Sequence, residues 1–227
     1  MENIEINITN LREKLNNNLK DSGWYKMLSP YINGLSFDHI VNTLVDNVDK
    51  GKRFTPRFKD IFNAFYECKY DNLKVVVVGQ DPYPQLGVAD GIAFSCSRKG
   101  KAEKSLQYIN DAINTDHTDL KCWANQGVLL INTAFTCEIN KIGSHYGIWK
   151  SFTEYLFDNL NKHKPKTIFI LMGKKAEEWQ IYMGNQKIFK VTHPASAAYR
   201  GGLWDSKDVF NLVNEELIKQ GKTCIQW

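Results

Sequence analysis

The sequence predicts an α/β fold: a single domain with a central four-stranded parallel twisted sheet, helices on both faces, and a helical N-terminal segment. Three observations carry this reading. Four short apolar runs have strand character, helix-period stretches alternate with them, and the first third of the chain shows only the helical period. In chain order, apolar residues recur at helical spacing in Ile8-Leu11-Leu15-Leu19, in Phe37-Ile40-Val41-Leu44-Val45 and in Phe58-Ile61-Phe62-Phe65. Thr55-Pro56 ahead of the last group reads as a helix start, with Thr as cap and Pro at the first helical position. Leu73-Lys74-Val75-Val76-Val77-Val78 is a β-branched run suited to a strand buried on both faces. A helix is expected at 104–113, a second buried strand at Gly127-Val128-Leu129-Leu130-Ile131-Asn132, and a helix over 148–161. Thr167-Ile168-Phe169-Ile170-Leu171 gives the third strand, and Gly173-Lys174-Lys175 opens the next helix. Ile188-Phe189-Lys190-Val191 is a short fourth strand, and a helix over 206–219 closes the fold. No repeat and no Pro- or Gly-rich linker divides the chain, so residues 1–227 read as one domain, with 1–53 as a helical extension packed on it.

Composition narrows the class. The 227 residues are 43% hydrophobic and 24% charged, enough for a core and too apolar for general disorder. A net charge of +4 is compatible with a nucleic-acid partner without requiring one. The cysteines Cys68, Cys96, Cys122, Cys137 and Cys224 are odd in number and scattered. They lack zinc or disulfide-framework spacing, so no structural metal is expected and a reducing compartment suits them. The polar N-terminus has no apolar signal-peptide core, and no stretch approaches the roughly 18 apolar residues of a membrane span. A soluble, cytoplasmic protein without membrane attachment is the expectation.

In a parallel sheet of this kind, sites form beyond the carboxyl ends of the strands. The first strand ends in Gly79-Gln80-Asp81-Pro82-Tyr83-Pro84, the second in Asn132-Thr133, the fourth in Thr192-His193-Pro194. A carboxylate, an amide and an imidazole are thereby expected on one edge, while the third strand, ending at Met172-Gly173, adds no such group. Taken singly, each has an ordinary explanation: an Asp-Pro turn, a capping Asn, a loop His. The shared edge raises them together.

The blocks Gly79-Gln80-Asp81-Pro82-Tyr83, Gly91-Ile92-Ala93-Phe94-Ser95, Gly127 to Thr133, and His193-Pro194 with Arg200-Gly201 resemble family 1 uracil-DNA glycosylases in order and spacing. The resemblance runs over residues 54–227 and includes the final Gly221-Lys222-Thr223-Cys224-Ile225-Gln226-Trp227. It implies a monofunctional enzyme that hydrolyses the N-glycosidic bond of uracil in DNA, after extruding the base into a pocket. By this resemblance Asp81 stabilises the oxocarbenium-like sugar and positions or activates water. A neutral His193 donates to the developing charge on uracil O2. Asn132 reads the uracil edge, Phe94 stacks on the ring, Tyr83 excludes thymine's methyl group, and backbone amides near Gln80 and Asp81 add contacts to the base. No cofactor or metal is implied. The partners are uracil-containing DNA, single- or double-stranded, and a proteinaceous glycosylase inhibitor; a monomer is the default.

For DNA gripping, Ser105 matches a phosphate-touching serine of the family, with a plain helix cap equally open. Ser196, Tyr199 and Arg200 belong to the loop after His193. Arg98, Lys99, Lys101 and Lys104 form a basic stretch beside the expected groove. Gly173-Lys174-Lys175 offers amides to a phosphate or is a simple loop. His145 lies in a segment resembling a family loop, its role open. The chain departs from the family at Pro84, where the family has His, and in residues 98–104, a flexible basic replacement for a proline-rich loop. It departs again in His193-Pro194-Ala195-Ser196-Ala197-Ala198-Tyr199-Arg200, one residue short and without the wedging leucine. Ala197 is too small to wedge, and Tyr199 or Arg200 is left to substitute. Single-stranded substrate should therefore be favoured. The competing readings are a glycosylase retargeted to a modified pyrimidine and a mainly structural DNA-binding relative.

Overall fold

The computed structural model describes residues 8–197 and 202–227. Strands β2 (Val75–Gly79), β3 (Val128–Asn132), β5 (Ile168–Met172) and β6 (Lys187–Val191) form one parallel sheet in the order β3-β2-β5-β6. The two central strands, VVVVG and IFILM, are buried at every position, which is why their sequences are unbroken apolar runs. β6 lies at an edge and exposes Lys187 and Lys190, charges that discourage further strand pairing there. The register pairs Gly79 with Asn132, Val78 with Leu171 and Met172 with Val191, so the carboxyl ends of all four strands reach one edge.

Helices α5 (Lys104–Ile113) and α6 (Lys121–Ala124) fall between β2 and β3, and α7 (Tyr146–His163) between β3 and β5. The short α8 (Lys174–Glu177) precedes β6, and α9 (Val209–Lys219) follows it. At the N-terminus α1 (Ile8–Asp21), α2 (Tyr25–Ile32) and α3 (Leu35–Asp49) precede the sheet. They share a core with α7 in which Trp24 meets Phe65 edge-on at 5.1 Å and Phe135 meets Phe152 at 5.1 Å. Trp24 also donates from Nε1 to the Cys68 carbonyl at 2.6 Å, satisfying the one polar atom of a fully buried ring.

The segment around Thr55 departs from the expected helix start. Phe54–Thr55 is a strand, β1, paired antiparallel with β4 (Cys137–Glu138), so that Thr55 faces Cys137. The Thr55 hydroxyl is buried without a partner among the described residues and caps nothing. The expected helix through Phe58 and Phe65 is instead a 3₁₀ turn at Phe58–Asp60 followed by a short helix, α4 (Asn63–Glu67). Helical spacing of Phe58, Ile61, Phe62 and Phe65 is kept, but Asp60 in this stretch turns inward to bind two arginines, and the Asp60 carbonyl closes against Gly91.

Candidate active site

Asp81 stands two residues beyond β2, and its two oxygens have different surroundings. Oδ2 accepts hydrogen bonds from the Tyr146 hydroxyl at 2.9 Å, the Gly143 amide at 3.0 Å and Gln80 Nε2 at 3.2 Å. Oδ1 is buried and has no partner among the described residues. Burial raises the Asp81 pKa above the ordinary aspartate value, and the three donors pull in the other direction.

His193 follows β6 and begins a short turn, Pro194–Ser196. Its Nδ1 accepts from the Ala195 amide at 3.2 Å, which places the imidazole proton on Nε2. Burial lowers the His193 pKa, so the ring is neutral and Nε2–H is a donor. Close approach sets the ring's place: a β-carbon on Gly173, whose φ is +93°, would stand 2.9 Å from His193 Cβ. The Phe94 ring lies 5.8 Å from the imidazole, its backbone in the left-handed region at φ 66°. Tyr83 donates its hydroxyl to the Phe94 carbonyl at 2.9 Å, fixing both rings.

These side chains meet in a cleft of about 320 Å³ lined by Gln80, Asp81, Tyr83, Phe94, Ser105 and His193, with Pro84, Ile142, Ala195 and Ser196 at its walls. Asn132, the last residue of β3, is not among the residues lining this cleft and borders a smaller cavity with Pro82, Tyr83 and Phe94. Its amide carbonyl reaches over Gly79, where an added β-carbon would come within 2.4 Å of Oδ1, and the amide has no hydrogen-bond partner among the described residues. One rim is α5, on which Ser105 is the second residue. Glu103 is the cap position of α5 and makes no side-chain cap bond, so the cap reading of Ser105 does not hold. Tyr199 and Arg200 lie outside the described residues.

Two of the expected phosphate-facing groups are otherwise engaged. Arg98 Nη2 pairs with the buried Asp60 at 2.9 Å and its Nη1 donates to the Ala89 carbonyl at 3.0 Å. Lys99 is paired with Glu103. A buried carboxylate such as Asp60 requires its partners, so the 98–104 loop is pinned rather than flexible. Lys101 and Lys104 remain exposed without an ion pair among the described residues. The Gly173 amide donates to the Val191 carbonyl at 2.8 Å and is not available to a phosphate.

Tyr146 and Gly143 went unread in the sequence because neither sits at a strand end. Their segment follows β4, loops back through Glu138 N–H to Ser144 Oγ at 2.8 Å, and is tied to Pro84 by the Asn140 amide at 3.0 Å. His145, just before α7, is buried and shares a 2.8 Å hydrogen bond between its Nδ1 and Thr136 Oγ1. The same hydroxyl oxygen accepts from Trp149 Nε1 at 2.7 Å. His145 therefore holds the loop that carries the Asp81 donors.

Residues 65–218 match the family model for the uracil DNA glycosylase superfamily. The chain belongs to that superfamily. It is 34% identical over 213 residues to a uracil-DNA glycosylase of Desulfitobacterium hafniense, covering 90% of this chain and 95% of that one. It is likewise 34% identical over 218 residues to the uracil-DNA glycosylase of Dichelobacter nodosus, covering 91% and 94%. Among solved structures, mimivirus uracil-DNA glycosylase superposes with a TM-score of 0.81 at 26% identity over 90% of this chain and 85% of that one. A variant of the mimivirus UNG in complex with UGI also matches, with a TM-score of 0.81 at 27% identity, covering 90% and 87%. The four-stranded parallel sheet is thus the fold of this superfamily. No helix among the described residues is long and apolar enough to cross a membrane.

Proposed function

We propose that this chain hydrolyses the N-glycosidic bond of uracil in DNA, releasing free uracil and leaving an abasic site. The observation that carries the reading is the pairing, in one cleft, of a carboxylate with a buried free oxygen and a neutral imidazole that presents Nε2–H. Breaking the bond between C1′ and N1 leaves positive charge on the sugar and negative charge on the base. Asp81 Oδ1 meets the first, orienting the water whose oxygen bonds to C1′ as the C1′–N1 bond breaks; the proton this water loses is taken up by Asp81 and then returned to the departing uracil anion, giving free uracil and a C1′ hydroxyl. His193 meets the second by donating to uracil O2 as charge gathers on it. Phe94 provides the stacking face, and Tyr83, anchored on the Phe94 carbonyl, crowds the position a 5-methyl group would need.

Asn132 reads the base. Its amide can accept from uracil N3–H and donate to O4, a pattern that cytosine reverses. An amide without a partner among the described residues favours this role, because the wrong base would leave it unpaired, and such discrimination can reach about 10⁴-fold. Ser105 and Ser196 on the cleft walls, together with Tyr199 and Arg200, are assigned to the phosphates and to the gap left by the extruded base. The substrate is uracil-containing DNA in single- or double-stranded form, handled by residues 1–227 as one domain, with 1–53 as its helical extension. The working form is a monomer in the cytoplasm, and a proteinaceous glycosylase inhibitor is a further partner, a reading supported by the mimivirus UNG structure in complex with UGI.

The test is incubation with a uracil-containing oligonucleotide followed by alkali. The expected result is free uracil, strand scission only after alkali, and a loss of on the order of 10³-fold or more in Asp81→Asn. A folded wild-type protein that releases no uracil from either single or double strands would refute the assignment.

A further inference from the structure

A carboxylate turns easily about its last torsion, since that sp³–sp² bond has a broad, two-fold profile. If Asp81 is to offer one oxygen to a reacting water, something must hold the other. Three donors converge on Oδ2, and they differ in stiffness. Gln80 contributes a flexible side chain from the same loop, and Gly143 contributes a loop amide. Tyr146 is the first residue of α7, an 18-residue helix whose opening turn is locked by the His145, Thr136 and Trp149 contacts. Pro84, also on the cleft wall, has no donor to give. Tyr146 also borders a second cavity of about 380 Å³, together with Thr133, Lys150, Glu178 and Trp179.

We infer that Tyr146 is the positioning residue of the site: its hydroxyl fixes Asp81 Oδ2 so that Oδ1 stays directed at the water and the sugar. The inference rests on the glycosylase reading for its kinetic consequences, but the geometry of the carboxylate can be read without substrate. The titratable groups around Asp81 are Tyr146 on α7, Cys137 on β4 and His193, which lines the same cleft, and the Glu178 charge acts on Tyr146. Burial, aided by the Asp81 charge, pushes the Cys137 thiol up to about 12, so it stays neutral through the working range. Tyr146 is likewise held protonated, first by burial and then by the same charge.

The experiment is Tyr146→Phe, which keeps the ring and removes only the hydroxyl. A hydrogen bond to the charged form lowers a carboxylate pKa, so its loss must raise it. With circular dichroism and Tm showing a folded protein, kcat should fall on the order of 10- to 100-fold with KM within about twofold. The acid limb of the kcat profile should move to higher pH by about half to one unit. Carboxyl ¹³C NMR titration of Asp81 in the substrate-free protein should show a shift of the same sign and size. An unchanged Asp81 titration in folded Tyr146→Phe overturns the inference whether or not the wild type is active. A shifted titration together with an inactive wild type would instead sustain the positioning role and remove the glycosylase assignment.

Discussion

A β-carbon at Gly79 would lie 2.4 Å from Asn132 Oδ1, closer than real β-carbons come to other atoms, and 3.0 Å from Phe94 Cζ, a tight contact. The two side chains assigned to reading and stacking the base therefore meet over a residue with no side chain. Gly79→Ala should push Asn132 aside, lowering kcat/KM for uracil by about 10²-fold, while overpacking costs about 1–3 kcal/mol of stability. Steady-state kinetics and urea unfolding check both; wild-type kinetics in the variant would show that the amide does not read the base from this position. At this scale the strand ends and motif blocks were enough to bring Asp81, Phe94 and His193 to one cleft and Asn132 to a cavity that shares Phe94 with it. The sequence was uninformative about the tautomer of His193, set by the Ala195 amide, and about Tyr146, which reaches Asp81 across 65 residues of chain.

Among the elements, the opening turn of α7 carries a titration of its own. Burial pushes the His145 imidazole down from 6.5 to about 4, so the folded protein keeps it neutral where an unfolded chain would protonate it. A group with a lowered folded pKa of this cationic kind costs stability as pH falls below the unfolded value, and the loss stops near the folded one. Between pH 7 and pH 5, unfolding free energy should drop by about 2 kcal/mol from this residue. His145→Gln should flatten that dependence in urea titrations at the two pH values; an equally steep profile in the variant would assign the effect to other groups. Strands β2, β3 and β5 were legible because burial on both faces leaves continuous apolar runs. The ribbon of β1 and β4 was not, since its two-residue strands pair Phe54 with Glu138 and Thr55 with Cys137, too short to impose any period. Misreading Thr55-Pro56 as a helix start follows from the same cause.

Taken whole, the molecule meets DNA with less free charge than its sequence suggests. Arg98 and Lys99 hold the 98–104 loop together, leaving Lys101 and Lys104 beside the cleft. In the loop after His193, Ala195 and Ser196 face the cleft, but Ala197 is buried and cannot enter a base stack. A duplex must be unstacked before its base is reached, at a cost of a few kcal/mol that a single strand largely avoids. Matched oligonucleotides should therefore be cleaved about tenfold or more faster as single strands; equal rates would mean that Tyr199 or Arg200 supplies a full wedge. The net charge of +4 pointed to a polyanionic partner only in outline, because ion pairing within the fold is invisible to a residue count.

The Asp81 oxygen that has no partner among the described residues has a meaning over generations as well as within a turnover. A buried acceptor with no donor weakens the native state, and a chain selected for folding alone would drift toward an apolar or fully bonded residue there. Only continued demand for the reaction opposes that drift. In a lineage released from that demand, position 81 should be among the first to change, with the sheet beneath it outlasting the chemistry.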